Sequence, residues 1–347
     1  MAVYDDLYGW DMTPYLGDGE FYLEYGDFDV ELSVPTGWLV GATGTLQDPE
    51  DVIGADGARR LRQAASSNTT IRVAEASPAN GTTTWRFQAS NVRDFAFSAS
   101  PSYVWDATSA GNGILPQALY RPQFDAWTEG ARYTAHTIRT FSSEYLGAYA
   151  YPQLTITEGP VGGMEYPMLV LQSGSTARGL ASVTIHEGGH PWFPMTAGNM
   201  EAKHAFMDEG FTSYWDELSA PALWNEEEPS WGANSAYLRT AGTEQEVPLM
   251  AHTDLVSPYG ARGLAAYTKP AVAMGALRSV LGDEVFLAAF RDFYSTWQFK
   301  HPIRGISSTP SSDTPGRISI GSGARCSSRP MCWTTPCTRS KAGAAGP

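Results

Sequence analysis

The segment HEGGHPWF (186–193) constrains this chain more than any other stretch. Two histidines four residues apart lie on one face of a helix, one turn apart, where a single ion can take a nitrogen from each. Glu187 is turned about 100° around the helix from its neighbour, so it cannot share the same coordination position. It can instead reach a water beside the ion. Zinc acidifies such a water and polarises a carbonyl, and a carboxylate takes the proton. A catalytic zinc site also needs a third protein ligand and an open position. Glu209, in MDEGFTSYWDE (207–217), is the candidate. Eighteen residues separate it from His190, enough for a turn and a second, antiparallel helix.

The local sequence works against a long helix here. Gly188 and Gly189 each cost about 1 kcal/mol relative to alanine. Pro191 has no amide to donate, and its ring meets the carbonyl of Glu187 four residues back, at about 3 kcal/mol inside a helix. The helix is therefore expected either to kink beside Glu187 or to end near His190. Zinc binding offsets part of the cost, because it stabilises the folded site.

The rest of the chain must supply a scaffold. Its 347 residues suit two domains, and 42% hydrophobic with 12% aromatic residues are enough for a substantial core. A net charge of −14 excludes nucleic acid as a partner, since phosphate recognition needs a basic surface. The acidic run WNEEEPSW (224–231) reads as a solvated loop. No apolar run approaches the roughly 18 residues of a transmembrane segment. MAVYDDLYGW has neither the basic start nor the apolar stretch of a signal peptide, so no export signal is expected in the chain as written.

The first hundred residues read as strands. Phe28, Val30, Leu32 and Val34 alternate with polar residues, and TTTWRFQAS and DFAFSASPSYVW follow the same pattern between Gly, Asn, Asp and Pro punctuation. This predicts part of a β-sandwich over 1–112, beginning mid-sheet. From about residue 115 the pattern is mixed. Trp127, Ala131, Ile138, Phe141 and Tyr145 fall near helical spacing. A strand-like piece covers 151–174, and helices are expected around 178–190, 205–219, 270–281 and 283–297. A mixed α/β catalytic domain over 113–302 follows, for an α+β chain overall.

From Ile303 the core pattern is lost. This tail carries six basic residues and one acidic residue, against 17 and 36 before it. All three cysteines, Cys326, Cys332 and Cys337, fall in it and match no zinc knuckle or redox pair. Residues 303–308 and 318–328 can both be encoded so that one shifted frame reads Pro-Trp-Asp-Phe-Phe and Leu-Asp-Trp-Phe-Trp-Arg-Glu-Val-Phe-Phe. The expectation is an irregular tail, 303–347, created by a frameshift.

HEGGHPWFPM followed by MDEGFTSYWDE resembles the zinc aminopeptidases of the membrane-alanyl-aminopeptidase type, gluzincins with a thermolysin-like catalytic domain, and in particular a bacterial branch. The resemblance spans roughly residues 5–302, with the start of the sandwich expected to be missing. It implies one zinc per chain on His186, His190 and Glu209, with Glu187 as general base. GGMEYP (162–167) is similar to the family's Gly-x-Met-Glu-Asn motif, with Tyr166 in place of Asn, and implies that Glu165 binds the free α-amino group of a peptide substrate. AAYTKPAVAMG (265–275) is similar to the family's Tyr-x-Lys-Gly segment and implies that Tyr267 donates to the oxyanion of the tetrahedral intermediate. A second amine-binding residue is expected from sandwich sequence upstream of this chain, and none is assigned. The same residues also fit a zinc endopeptidase or other zinc hydrolase on that fold, or a zinc- or peptide-binding remnant without turnover.

Overall fold

The computed structural model describes residues 3–5, 9–17, 19–227, 229, 232–257 and 259–302. The tail expected from residue 303 lies outside them.

A β-rich N-terminal part begins with two short paired strands, β1 (Tyr4–Asp5) and β2 (Gly9–Trp10). Next come β3 (Gly26–Pro35), β4 (Leu39–Ala42) and β5 (Thr45–Gln47). In β3 the faces alternate as the sequence predicts, with Phe28, Val30, Leu32 and Val34 turned inward. Helix α1 (Pro49–Ala64) interrupts the expected run of strands. Its signals are ordinary ones: proline at the first position, Glu50 and Asp51 in the first turn and Arg62 in the last. Four strands follow: β6 (Ile71–Glu75), β7 (Thr82–Val92), β8 (Phe97–Ser100) and β9 (Val104–Ala107).

The second part opens with β10 (Leu115–Tyr120) and helix α2 (Gly130–Thr140), which occupies the stretch whose apolar spacing is helical. The strand-like piece resolves into β11 (Gln153–Glu158), β12 (Gly163–Tyr166) and β13 (Leu169–Gln172). Seven helices follow: α3 (Ala177–Glu187), α4 (Glu201–His204), α5 (Glu209–Trp224), α6 (Gly232–Leu238), α7 (Tyr259–Gly263), α8 (Lys269–Leu281) and α9 (Asp283–Trp297).

Two small antiparallel sheets, β3–β7–β5 and β4–β8, lie in the N-terminal part. A six-stranded mixed sheet has the order β12–β13–β11–β10–β9–β6. It takes β6 and β9 from before residue 112 and the other four strands from after it. β11 pairs in parallel with both β10 and β13, whereas β12 is an antiparallel edge strand. Helices α2 and α3 pack together, α2 on β10 and β11 and α3 on β12 and β13. The chain is thus α+β, with N-terminal sheets preceding a helical region on a mixed sheet.

One core runs through the helical part, from Trp127, Phe141 and Ile185 to Trp215, Phe286 and Phe290. A smaller one, built around Trp85, Phe87 and Trp105, joins α1 to the sheets. Each fully buried aromatic side chain withdraws 150 Å² or more from water and stabilises the fold by roughly 1.5–3 kcal/mol. The largest concentration of them surrounds the HEGGH turn.

Candidate metal centre and its carboxylate annex

Helix α3 begins at Thr176, whose hydroxyl accepts from the Gly179 amide. It is pinned to the sheet by Gln172 of β13, whose side-chain amide donates to Thr184 Oγ1 at 2.6 Å. The helix ends at Glu187, with Gly188 as its cap. Pro191 therefore lies outside the helix, and the expected clash does not arise. Successive turns continue through residue 196, and their hydrogen bonds skip the Glu187 carbonyl that a non-proline residue 191 would have satisfied. The glycines also serve a packing purpose. A β-carbon on Gly189 would stand 2.8 Å from the Phe141 ring and 2.9 Å from Thr212, so this position brings the turn flush against α2 and α5. Trp192 and Phe193 are buried and lock the turn in place: Trp192 Nε1 donates to Gly147 O, and the Phe193 ring stacks edge-on against Phe211 and Phe290.

His186 and His190 face each other from this scaffold. Their Nε2 atoms are 3.3 Å apart, and Glu209 Oε2, from the first turn of α5, lies 3.1 Å from one and 3.6 Å from the other. Each imidazole is oriented through its other nitrogen. His186 Nδ1 lies 2.8 Å from Asp216 Oδ2, two turns along α5 from Glu209, and His190 Nδ1 donates to Phe193 O at 2.9 Å. Asp208 Oδ1 is also 2.8 Å from His190 Nδ1, off the line of the N–H that Phe193 takes. These partners only accept, so each Nδ1 donates to its partner and each Nε2 is left facing the other and Glu209, where its lone pair is available to an ion that displaces any proton there. Zinc bonded tetrahedrally at 2.0–2.1 Å places its ligand atoms about 3.3–3.4 Å apart, so the spacing and the donor set both fit that ion. Burial works against charge on His186, but Asp216 and Glu209 outweigh it and raise its pKa well above the usual value. Burial, with His186 nearby, pushes His190 down to about 4 despite Glu209.

Glu187, at the helix end, is 7% exposed and reaches beneath edge strand β12. Burial first, with Glu209 and Glu20 adding to it, pushes its carboxyl up to about 8 against the opposing effect of His186. Glu165 projects from β12 and is 3% exposed. One atom each of Glu165, Glu187 and His190 lie within 4.8 Å of one another, so the β12 carboxylate adjoins the metal group directly. Burial, then the neighbouring Glu20, Glu187 and Glu209, raises Glu165 well above the carboxylate range.

Tyr267 stands in the distorted turn of residues 264–268 that leads into α8. Its ring stacks on His186 at 5.9 Å, and its hydroxyl donates to Glu209 Oε1 at 2.5 Å. Tyr267 as a whole is 39% exposed, so it stands at the rim of the site. All six residues singled out in the sequence are thus brought together.

The structure adds one residue that the sequence reading did not single out. Glu20 comes from the irregular segment before β3 and groups with Glu165, Glu201 and Asp208, one oxygen of each within 4.8 Å of the others. Glu20 Oε2 and Glu165 Oε1 are buried without a hydrogen-bond partner. Nothing in GDGEFYLEYGD distinguishes Glu20 from Glu24 by pattern, so no sequence signal selects it. Asp216 was findable, since it lies seven residues after Glu209 and hence on the same helix face.

No protein-family model matches the sequence, and no curated protein matches it. Solved structures do match. The M1 zinc metallopeptidase from Deinococcus radiodurans superposes with a TM-score of 0.58 at 20% identity, over 80% of this chain and 58% of that one. A mutant of the Deinococcus radiodurans enzyme bound to a Tyr-Ser-Ala substrate gives 0.57 at 19% identity, and a two-domain M1 zinc metallopeptidase mutant bound to L-tryptophan gives 0.56 at 18%, each with the same coverage. The chain spans 58% of the length of the solved structures it matches. With its mixed sheet, its helical metal group and this superposition, the chain has the fold of the M1 zinc metallopeptidases.

Proposed function

We propose that this chain is a zinc-dependent aminopeptidase, with zinc held by His186, His190 and Glu209. The observation that carries this reading is the juxtaposition of that ligand group with two carboxylates, buried Glu165 and half-buried Glu20, each with one buried oxygen that has no hydrogen-bond partner. A peptide's α-ammonium supplies the missing charge, and the short reach from Glu165 to the metal group measures one residue in from the N-terminus. Bound at its three ligands, zinc would polarise the scissile carbonyl and acidify a water.

The remaining roles belong to the protein. Glu187 takes the proton from the attacking water and returns it to the leaving amine. Burial favours the protonated form of this carboxyl, which helps it to hold the proton between the two transfers. Tyr267 gives its hydroxyl to the developing oxyanion, exchanging Glu209 Oε1 for the substrate oxygen. Tyr-Ser-Ala as a ligand of a structure with this fold supports a peptide as the substrate class.

The test compares a free tripeptide with its N-acetylated form on protein of known zinc content. Cleavage of the free peptide alone, one residue at a time, is the expected result. Equal cleavage of both would replace this reading with an endopeptidase on the same fold. Near one zinc per chain without turnover of either would mark a binding protein.

A further inference from the structure

Arg93, one residue beyond the end of β7, is 2% exposed, and its guanidinium reaches three separate segments. Its Nη2 donates to the carbonyl of Phe21, the residue after Glu20. Its Nη1 donates to the carbonyl of Pro194 at 3.2 Å. That carbonyl follows the Phe193 carbonyl that orients His190. The same Nη1 lies 2.5 Å from Glu201 Oε1, whose side chain is also 2% exposed. Glu201 closes the circuit, because its other oxygen accepts from the Phe21 amide at 3.2 Å. Both backbone polar groups of Phe21 are thus held by one buried ion pair.

The segment carrying Glu20 is held elsewhere by Leu23 O, 2.9 Å from His301 Nε2, and by the Tyr25 hydroxyl, which meets Thr196 O and the Gly198 amide. It belongs to neither a helix nor a strand, and the β-carbon position of Gly19 lies 2.7 Å from the Ala202 backbone. The segment lies flat on α4, with its amide at Gly19 bonded to Asp254. The fork of Arg93 is the contact beside Glu20 that touches both this segment and the HEGGH turn. A planar guanidinium can serve both at once, whereas a lysine ammonium is a single point with a mobile stem. Four carboxylates, half-buried Glu20 with buried Glu165, Glu201 and Asp208, also converge here, so the buried guanidinium of Arg93 beside them restrains their mutual repulsion.

We propose that Arg93 is a positioning residue that holds Glu20 against Glu165 at a fixed offset from His186 and His190, and so sets recognition of the substrate's free amine. This rests on the aminopeptidase reading of the site. Arg93 itself touches no reacting atom.

The experiment measures binding rather than turnover. Zinc-loaded protein carrying Glu187→Gln is titrated calorimetrically with Tyr-Ser-Ala and with N-acetyl-Tyr-Ser-Ala, and zinc per chain and the circular-dichroism spectrum are recorded for each variant. The ratio of the two dissociation constants reports amine recognition. Arg93→Lys is expected to reduce that ratio by roughly 10- to 100-fold, the worth of one charge-assisted anchoring contact, with zinc and spectrum retained. Arg93→Met with Glu201→Gln removes the buried pair without leaving a lone charge and should reduce the ratio likewise. No amine preference in the parent overturns the aminopeptidase reading, and this proposal with it. A preference in the parent that survives in both folded variants overturns the positioning role alone. Loss of zinc and spectrum in both variants also overturns it, assigning Arg93 to the fold.

Discussion

Gly163 and Glu187 occupy complementary space: a β-carbon on Gly163 would stand 2.1 Å from Glu187 Oε1. The edge strand is thus bare where the carboxylate of the α3 terminus passes beneath it. A single methyl group on β12 would displace the proposed base without touching a metal ligand. Gly163→Ala should therefore keep near one zinc per chain and lose turnover. A displacement of about 1 Å at a reacting group costs on the order of 100-fold in rate. Glu187→Gln, which keeps the shape and removes the base, should retain zinc and lose roughly 10²–10⁴-fold in kcat. Full turnover in Glu187→Gln would remove Glu187 from the chemistry. Full turnover in Gly163→Ala would show that its rotamer is uncritical.

Zinc affinity should follow the outer partners of the imidazoles as well as the ligands. Glu209→Ala removes a ligand, and dialysed protein should then hold far less than one zinc per chain. Asp216→Asn keeps the size of the group that orients His186 Nδ1 and removes its charge. Loss of such a partner weakens a metal site by roughly 10- to 100-fold. Competition with a chromogenic chelator measures this, and saturating zinc should restore most of the turnover of Asp216→Asn but not that of Glu209→Ala. Unchanged affinity in Asp216→Asn would mean that α5 packing alone orients the ring.

Tyr267→Phe separates two uses of one hydroxyl. If the bond to Glu209 Oε1 serves mainly to hold the ligand, the variant loses zinc. If the hydroxyl serves the oxyanion, zinc and KM stay near the parent values and kcat falls by about 10²–10³-fold, the usual effect of losing one such donor. The second pattern is expected, because two imidazoles and the α5 backbone already fix Glu209.

The parts legible in the sequence were those that strong local rules govern. The alternation through Phe28 to Val34 and the His186–His190 spacing follow from the geometry of strand and helix alone. Glu209 became legible through its distance from His190, and Asp216 could have been found by helical periodicity. Glu20 and Arg93 could not. Each is an ordinary charged residue with no pattern of its own, and it acquires meaning only when the chain before β3 folds back over α4, about 180 residues away in sequence. The last turn expected at 188–190 failed for a related reason. Propensity argued for a kink or a stop, and the contacts of Gly189 with Phe141 and Thr212 decided for a stop at Glu187.

The base of α8 makes a further prediction about acid. Lys269, two residues past Tyr267, places its ammonium 2.8 Å from Glu246 Oε1, and both side chains are 5% exposed. Glu246 also accepts from the Tyr237 hydroxyl and the Gly242 amide, each at 2.7 Å. Burial pushes the carboxyl of Glu246 up, but Lys269 and these donors outweigh it and hold the pKa at about 2. A carboxyl depressed on folding contributes stability that is complete above its unfolded pKa of about 4.3 and is lost as pH falls toward the folded value. Removing one partner of a buried pair costs about 3–5 kcal/mol because the other charge is left alone. Urea unfolding should therefore show Glu246→Gln far below the parent near pH 7, with the gap closing from about pH 4 downward. Zinc release in acid affects both proteins alike and cancels in the difference. A gap that stays constant from pH 7 to pH 3 would mean that Glu246 acts through shape and hydrogen bonding, not through its charge.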